Sequence, residues 1–434
     1  MRSLSGSIIF IVILILVDLY VFQAVKSVSQ NAGTRSRAII FAVYWILSLL
    51  AIGFFAALPH IHYDQWQKPV RTYIFATLIG LFLAKLISVP FFLMDDIRRM
   101  VQWIISQFVS RTVDAGNGNE ATEGISRSAF LSWLGLGIGG TLFGTLVYGF
   151  RNQYNYQVKH VKLAYKNLPS AFKGMRIVQV SDIHSGSFMD VGAVQRGVDL
   201  INNQKADLIL FTGDLVNDRA SEMEPYVNVF NKLAAPLGVY STFGNHDYGD
   251  YVAWPDKDDA FRERMAAAGK HLMTPLQEKN LDTLKQVHAR MGWRLLMDEW
   301  VPIEKNGAQI ALLGVQNISG KARFHSYGDM AKAYAGVAQI PFKILMSHDP
   351  SHWDSEVKPH YPDIDLTLSG HTHGMQFGVE IPGLKWSPVK WVYKKWAGLY
   401  EEGNQKLYVN RGFGFIGYPG RVGILPEITV IELT

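Results

Sequence analysis

The sequence predicts an α/β protein in which N-terminal transmembrane helices are followed by a domain built on two β-sheets. Three observations carry this prediction: few charges at the start of the chain, long apolar runs in the same part, and short strands alternating with helices later. Only 18% of the 434 residues are charged, against about 25% in ordinary soluble chains. These charges are unevenly placed, with 18 in the first 150 residues and 61 in the remaining 284. We therefore expect two domains, at 1–150 and 151–434.

Four apolar runs occupy the first part, at residues 7–25, 38–58, 70–93 and 128–150. Each is close to or above the ~20 residues that a helix needs to cross the hydrocarbon core of a bilayer. Buried core helices are the alternative, but four such runs separated by polar loops favour membrane spans. The sequence therefore predicts a membrane domain with about four transmembrane helices.

Basic residues in the loops between these runs predict an orientation. The loops after the first and third runs carry seven Lys and Arg, against three on the opposite side before residue 151. The seven are Lys26, Arg35, Arg37, Arg98, Arg99, Arg111 and Arg127. Because loops rich in Lys and Arg stay in the cytoplasm, both termini and the C-terminal domain are expected on the extracytoplasmic side of the cell membrane. An interfacial fourth run would reverse this, and polar residues 114–120 predict a flexible loop.

Two charged residues, Asp18 and Lys85, fall within the apolar runs. Charges at membrane depth are costly, so they are usually paired or functional. In one interpretation Lys85 extends toward the headgroups and Asp18 lies near an interface. In the other, the two side chains pair directly.

Short apolar runs after residue 156 predict a sheet with parallel strands and covering helices. The expected strands are at 175–181, 207–212, 237–243, 342–347 and 364–369, and the expected helices are at 191–203, 221–233 and 275–291. Later strands at 309–315, 406–410 and 427–433 have no helices between them. They indicate a second sheet packed on the first.

Each strand of the first group is followed by Asp, Asn or His. Ligands in open α/β sheets bind beyond the carboxyl ends of the strands, so these side chains are expected to converge. The residues are Asp182, His184, Asp214, Asn245, His348, His371 and His373. The chain has no cysteine, and a set of oxygen and nitrogen donors suits Mn, Fe, Zn or Co better than Mg or Ca.

Seven donors exceed the needs of one tetrahedral ion. A shared carboxylate would divide them between two divalent ions, an arrangement that supports in-line displacement at phosphorus. His246 is left over as a candidate proton donor to a leaving group, and Asp247 is expected to fix its tautomer.

These residues lie in five motifs, which are Asp182-Ile183-His184, Gly213-Asp214, Gly244-Asn245-His246-Asp247, Ser347-His348 and Gly370-His371-Thr372-His373-Gly374. The motifs, in this order, resemble those of the calcineurin-like binuclear metallophosphoesterase superfamily, and segments 168–181 and 426–429 look closest to its membrane-anchored bacterial branch. The resemblance covers about residues 156–434. It implies a two-sheet α/β sandwich and two metal ions, with Asp214 bridging. One ion would be held by Asp182, His184, Asp214 and His373, and the other by Asp214, Asn245, His348 and His371. His246 would act as the general acid, supported by Asp247.

Two segments depart from the family pattern, and a third resembles an export signal incompletely. Residues 251–274 look like a charged insertion, which either shapes the mouth of the site or forms a solvated surface helix. Residues 384–396 interleave Trp386, Trp391, Tyr393 and Trp396 with lysines, which is typical either of contact with a bilayer surface or of an ordinary packed hairpin. Residues 126–131 look like a twin-arginine export signal that keeps only one of its two arginines.

The function favoured by these observations is hydrolysis of a phosphoester or pyrophosphate bond by metal-activated hydroxide, in a lipid-linked substrate or a small phosphoester. The alternatives are a cytoplasm-facing pyrophosphatase of a UDP-diacylglucosamine-like lipid precursor and a catalytically silent membrane sensor. The bilayer is the expected partner. No nucleic acid is expected, and the sequence does not indicate an oligomeric state.

Overall fold

The computed structural model describes residues 4–108, 126–268 and 271–434. The chain divides into two compact units, Met1–Tyr148 and Gly149–Thr434. The loop predicted at 114–120 lies outside the described residues.

The first unit consists of four long helices. They are α1 (Leu4–Val28), α2 (Thr34–Ala57), α3 (Lys68–Phe108) and α4 (Arg127–Gly149). All four are long and apolar enough to cross a membrane, which confirms the predicted spans. Helix α3 extends some fifteen residues beyond the predicted run. Its additional turns carry an ion pair between Arg98 and Asp95, which are 2.7 Å apart at the helical spacing i, i+3.

Asp18 and Lys85 form a direct ion pair between α1 and α3. Ser48 of α2 donates a 2.8 Å hydrogen bond to the Asp18 carboxylate, and Lys85 donates to the Ser48 hydroxyl at 2.8 Å. The Tyr44 hydroxyl adds a 2.7 Å bond to the Asp18 carbonyl. The structure thus favours the paired interpretation, with the charges satisfied among three helices.

The second unit contains two six-stranded mixed sheets, which confirms the predicted two-sheet fold. The predicted assignment of strands to sheets was wrong in part, because the strands expected at 342–347 and 364–369 lie in the second sheet and the strand expected at 427–433 lies in the first. The first has the strand order β1-β14-β2-β3-β4-β5 and the second β12-β13-β9-β8-β7-β6. The strands of the first sheet are β1 (Gln157–Leu163), β2 (Arg176–Val180), β3 (Leu208–Phe211), β4 (Val239–Ser241), β5 (Arg294–Leu295) and β14 (Glu427–Leu433). Those of the second are β6 (Glu299–Lys305), β7 (Ala308–Gly314), β8 (Lys343–Met346), β9 (Leu366–Ser369), β12 (Gly398–Glu402) and β13 (Gln405–Val409).

A separate hairpin, β10 (Val379–Ile381) and β11 (Leu384–Trp386), belongs to neither sheet. Six α-helices accompany the sheets in the described residues of this unit. They are α5 (Val191–Asn202), α6 (Val227–Phe230), α7 (Asp259–Ala268), α8 (Pro275–Arg290), α9 (Met330–Tyr334) and α10 (Lys358–His360).

Alternating side chains of the strands build a layered core. Leu210 of β3 and Ile344 of β8 point into the core between the two sheets. Phe211, one residue further along β3, packs with the helices that cover the first sheet, and Leu345 packs in the core outside the second sheet. Because successive side chains of a strand point to opposite faces, strands buried on both sides read as continuous apolar runs.

The helix predicted at 221–233 is interrupted. The structure has a 3₁₀ turn at Ala220–Met223 and then the single turn of α6. Pro225 lies between them. Proline has no N–H to donate and disfavours a helical conformation in the preceding residue, so the two turns do not join.

Candidate metal centre

The predicted site residues follow five parallel strands and meet at one edge of the two sheets. Strands β2, β3 and β4 of the first sheet lead to Asp182, Asp214 and Asn245. Strands β8 and β9 of the second sheet lead to His348 and His371. Both sheets therefore contribute to a single polar cluster, which we call the metal-site cluster. Its members are Asp182, His184, Asp214, Asn245, His348, His371 and His373.

The backbone at five members of this cluster is left-handed. The φ angles are 53° at Asp182, 49° at His184, 62° at Asp214, 71° at His371 and 49° at His373. Non-glycine residues seldom adopt this region, and such conformations cluster at functional sites. The sharp turns that result aim successive side chains back over the strand ends.

Two glycines allow the carboxylates to approach neighbouring backbone. A Cβ atom at Gly244 would overlap the Asp214 carboxylate, and one at Gly370 would overlap that of Asp182. With these glycines, the Asp214 carboxylate accepts a 2.8 Å hydrogen bond from the His246 N–H, and that of Asp182 accepts a 2.9 Å bond from the His371 N–H. The glycines of the motifs thus have a packing role.

The cluster separates into two groups able to hold a cation. One contains Asp182, His184 and His373, and the other Asp214, His348 and His371, with the donor atoms of each group within 4.8 Å of one another. Asn245 joins the second group, since its Oδ1 lies 2.7 Å from His371 Nδ1.

One oxygen of Asp214 lies between the two groups. Its Oδ2 is 3.0 Å from His348 Nε2 and 3.5 Å from His184 Nε2. The second distance joins a residue of one group to a residue of the other. This is the position that a bridging carboxylate requires.

Unsatisfied ring nitrogens test whether these residues fit metal ions. Among the described residues, both ring nitrogens of His184 are buried without a hydrogen-bond partner, and the Nε2 atoms of His348 and His373 face the carboxylates of Asp214 and Asp182 at 3.0 and 3.2 Å. His348 Nδ1 is engaged, at 2.8 Å from the Thr212 carbonyl, which leaves Nε2 free to coordinate. Because buried polar groups are almost always satisfied, an unsatisfied imidazole at His184 and further imidazole nitrogens directed at carboxylates fit a site for divalent cations.

The charges within the cluster have the pattern that cations need. Burial raises the pKa of Asp214, but the neighbouring His348 and His246 outweigh it and hold that pKa well below its usual range. Burial lowers the pKa of His184 and of His373. His348 differs, since burial is outweighed by Asp214, which raises its pKa to about 10.

His246 lies beside the cluster, with its ring centroid 4.9 Å from that of His184. Its Nδ1 lies 2.7 Å from the Asn217 carbonyl. Because a carbonyl can only accept, Nδ1 carries the proton and donates it, and Nε2 is the second ring nitrogen available to a ligand.

The prediction that Asp247 fixes the tautomer of His246 is wrong, because the Asp247 carboxylate makes other hydrogen bonds. The Asp247 carboxylate accepts hydrogen bonds from the N–H groups of Asp214 at 2.9 Å, Leu215 at 2.8 Å and Gly244 at 2.8 Å. Asp247 therefore holds the β3 and β4 loops together, and the Asn217 carbonyl orients His246. The adjacency of His246 and Asp247 in the sequence did not reveal these contacts, because the Asp247 carboxylate turns toward the backbone of Asp214, Leu215 and Gly244.

Two tyrosines in contact with the cluster were not predicted from the sequence. The Tyr393 hydroxyl lies 2.8 Å from His371 Nε2 and 3.3 Å from the buried Asp349 carboxylate. The Tyr251 hydroxyl accepts a 2.9 Å hydrogen bond from the Asn245 amide. Thus the 251–274 insertion reaches the mouth of the site through Tyr251, whereas α7 within it is mostly exposed.

A cleft of about 740 Å³ opens above the cluster. Its floor contains cluster members and His246, and Arg323 stands at its side. The rest of the cleft lining is apolar and consists of Phe324, Met375, Val389, Val392 and Ile416. The cleft thus combines a site for anionic groups with an apolar wall.

Comparison with known proteins identifies the two parts of the chain. Residues 175–375 match the family described as calcineurin-like phosphoesterase. Residues 1–153 match a probable calcineurin-like phosphoesterase transmembrane domain. Residues 175–375 therefore form a calcineurin-like phosphoesterase domain, which is a phosphoester hydrolase domain, and residues 1–153 make the chain a membrane protein. Family membership and the two groups of donors together indicate divalent metal ions.

Several relatives share this description. The chain is 28% identical over 294 residues to a transmembrane protein with metallophosphoesterase domain from Danio rerio, covering 66% of this chain and 60% of that protein. It is 29% identical over 270 residues to the metallophosphoesterase YkuE of Bacillus subtilis, covering 61% and 81%. It is 27% identical over 278 residues to the phosphodiesterase YaeI of Escherichia coli, covering 64% and 87%.

Proposed function

We propose that the chain hydrolyses a phosphoester or pyrophosphate bond in a lipid-linked substrate at the membrane. The apolar wall of the cleft carries this proposal. Met375 and Val392 line the cleft and are also exposed at its mouth, so an apolar chain attached to a phosphate would stay covered while the phosphate reaches the floor. Such a pairing of apolar walls with a few placed polar groups is typical of ligand sites.

The metal-site cluster would hold two divalent ions, and Mn, Fe or Zn suits its oxygen and nitrogen donors. Asp182, His184 and His373 would hold one, and Asn245, His348 and His371 the other, with Asp214 shared. When bound, such ions activate a water molecule near neutral pH and neutralise charge on the phosphoryl oxygens. Arg323 adds a fixed positive charge at the side of the cleft and orients a second anionic group of the substrate.

His246 would transfer the proton that the leaving group needs. The Asn217 carbonyl fixes its Nδ1–H, so Nε2 carries the mobile proton. In the protonated ring, Nε2–H donates to the leaving oxygen as the P–O bond breaks. Asp247 contributes by holding the loop that carries His246.

A preference for long-chain substrates is the expected result in kinetics. With full-length protein in nanodiscs and Mn²⁺, Fe²⁺ or Zn²⁺ added, kcat/KM should be at least about tenfold higher for a long-chain ester than for its short-chain analogue, because each buried methylene contributes about 0.8 kcal/mol. A panel of phosphomonoesters, phosphodiesters and pyrophosphates would identify the bond.

A variant controls this measurement. Val392→Ser should reduce the preference and spare hydrolysis of the short-chain ester. Equal kcat/KM for long and short chains in the unaltered protein would contradict the lipid substrate but leave the metal chemistry intact.

We further propose that the catalytic domain lies on the extracytoplasmic side, which rests on the loop charges. The natural absence of cysteine allows a direct test with single-cysteine variants in intact cells. Asp282→Cys on exposed α8 should react with a membrane-impermeant maleimide, whereas Asn31→Cys in the loop between α1 and α2 should react only after permeabilisation. The reverse pattern would place the domain in the cytoplasm.

A further inference from the structure

The β10–β11 hairpin has two chemically different faces. Val379 pairs with Trp386 and Ile381 with Leu384, whereas the intervening pair is Glu380 and Lys385. Because side chains alternate across a strand, the two apolar pairs share one face and the charged pair occupies the other. We call the first the apolar hairpin face.

The charged pair faces the domain. Glu380 forms a 2.5 Å ion pair with the buried Arg411, and Arg411 in turn pairs with the buried Glu427. Lys385 donates to the Ala397 carbonyl and lies 4.9 Å from the ring centroid of Trp396. The hairpin is therefore attached to the domain through its polar side.

The apolar hairpin face is left exposed, the reverse of the usual arrangement for a surface hairpin. Ile381 is 58% exposed and Leu384 50%. Trp386 stands edge-to-face with Trp391, at 5.9 Å between ring centroids, and Trp391 is 73% exposed. Trp391 is followed by Val392 of the cleft, so the exposed apolar surface leads from the hairpin tip to the mouth of the site.

We propose that the apolar hairpin face and Trp391 insert into the interfacial region of a bilayer that contains anionic lipids. Exposed apolar surface of this extent marks an interaction site, and the four spans of the chain keep a bilayer within reach. Tryptophan favours the headgroup level. Exposed Lys390 and Lys394 on either side of Trp391 supply the charge that complements anionic headgroups.

This proposal deepens the proposed function, because the inserted surface would lead lipid toward the cleft. It can also be tested independently of the substrate, by measuring the depth of the hairpin in the bilayer. A peripheral apolar face of this kind lies about 5–10 Å below the headgroup level. That depth is within reach of a quencher near the carbonyl end of an acyl chain.

The test uses the full chain in nanodiscs of phosphatidylcholine and phosphatidylglycerol. Single cysteines at Ile381→Cys and Leu384→Cys carry an environment-sensitive fluorophore, and Asp282→Cys on α8 serves as the matched exposed control. Doxyl-labelled lipid should quench the label at 381 and 384 and leave that at 282 unaffected. Equal quenching at all three positions, or none at the hairpin, would overturn the proposal.

Two further measurements distinguish insertion into lipid from contact between two copies of the chain. Lys390→Glu with Lys394→Glu should reduce quenching in anionic nanodiscs by weakening attachment about fivefold for each lysine, and should have little effect in pure phosphatidylcholine. If hairpin labels are instead shielded only in discs that contain two copies of the chain, the face is a dimer contact and the proposal fails. If the unaltered protein does not hydrolyse long-chain esters but the hairpin labels are quenched as expected, the proposed substrate is refuted and the insertion is not.

Discussion

Asp214→Asn should abolish hydrolysis while the domain remains folded. Removal of residues that only orient metal ligands costs about 10–100-fold in affinity or activity, so loss of a shared ligand should cost more than about 100-fold in kcat. Asparagine keeps the shape of the side chain and removes its charge. Since Asp214 Oδ2 lies near both His348 and His184, the bound metal should fall for both ions rather than for one.

Activity, bound metal and thermal unfolding of the purified full chain check this prediction together. Asp282→Asn makes the same chemical change at an exposed position of α8 and should alter none of them. Full activity of Asp214→Asn with two ions per chain would refute the bridging role. A large fall in unfolding temperature would instead attribute the loss of activity to misfolding.

His246→Gln should reduce hydrolysis in proportion to how poor the leaving group is. For an alkoxide leaving group, loss of a general acid should reduce kcat by about 10²–10⁴-fold. For a nitrophenolate leaving group the effect should be small, because that anion departs without a proton. The measurement is a series of phosphodiesters with leaving groups of increasing pKa, compared between the variant and the unaltered protein.

The dependence on leaving group distinguishes proton donation from a structural role. A variant with a damaged cluster, such as Asp214→Asn, should lose activity on all members of the series alike. If His246→Gln reduced every substrate by the same factor, His246 would be assigned to positioning and not to acid catalysis.

Much of the fold was predictable because its signals are local. Four apolar runs of sufficient length indicated the four helices, and apolar strands buried on both faces indicated the two sheets. Helix α3 was predicted too short, since its final turns are amphipathic and continue past the apolar run. The sequence feature that indicates these final helical turns is the helical spacing of charged residues, such as Asp95 and Arg98, and not hydropathy.

The members of the metal-site cluster were predictable because each follows a strand, and parallel strands end at a common edge. Residues whose roles depend on tertiary contacts were not predictable in this way. Tyr393 lies in a segment for which the sequence left both a bilayer contact and a packed hairpin open, and its hydroxyl reaches His371. Asp247 follows His246 in sequence, but it bonds to the loops of Asp214 and Gly244. Such contacts depend on the turns between elements, which the pattern of residue types does not specify.

The left-handed backbone at five cluster members also bears on how the protein tolerates mutation. Each such conformation costs about 1–3 kcal/mol, and the surrounding structure must hold it in place. The catalytic edge of the sheets is therefore maintained against the conformational preference of its own residues. Stability and activity are in opposition here, so substitution of His184 or His371 by glycine would relax the backbone while removing an imidazole from the metal-site cluster. Inactive variants of this enzyme are for that reason expected to include some that are more thermostable than the active one.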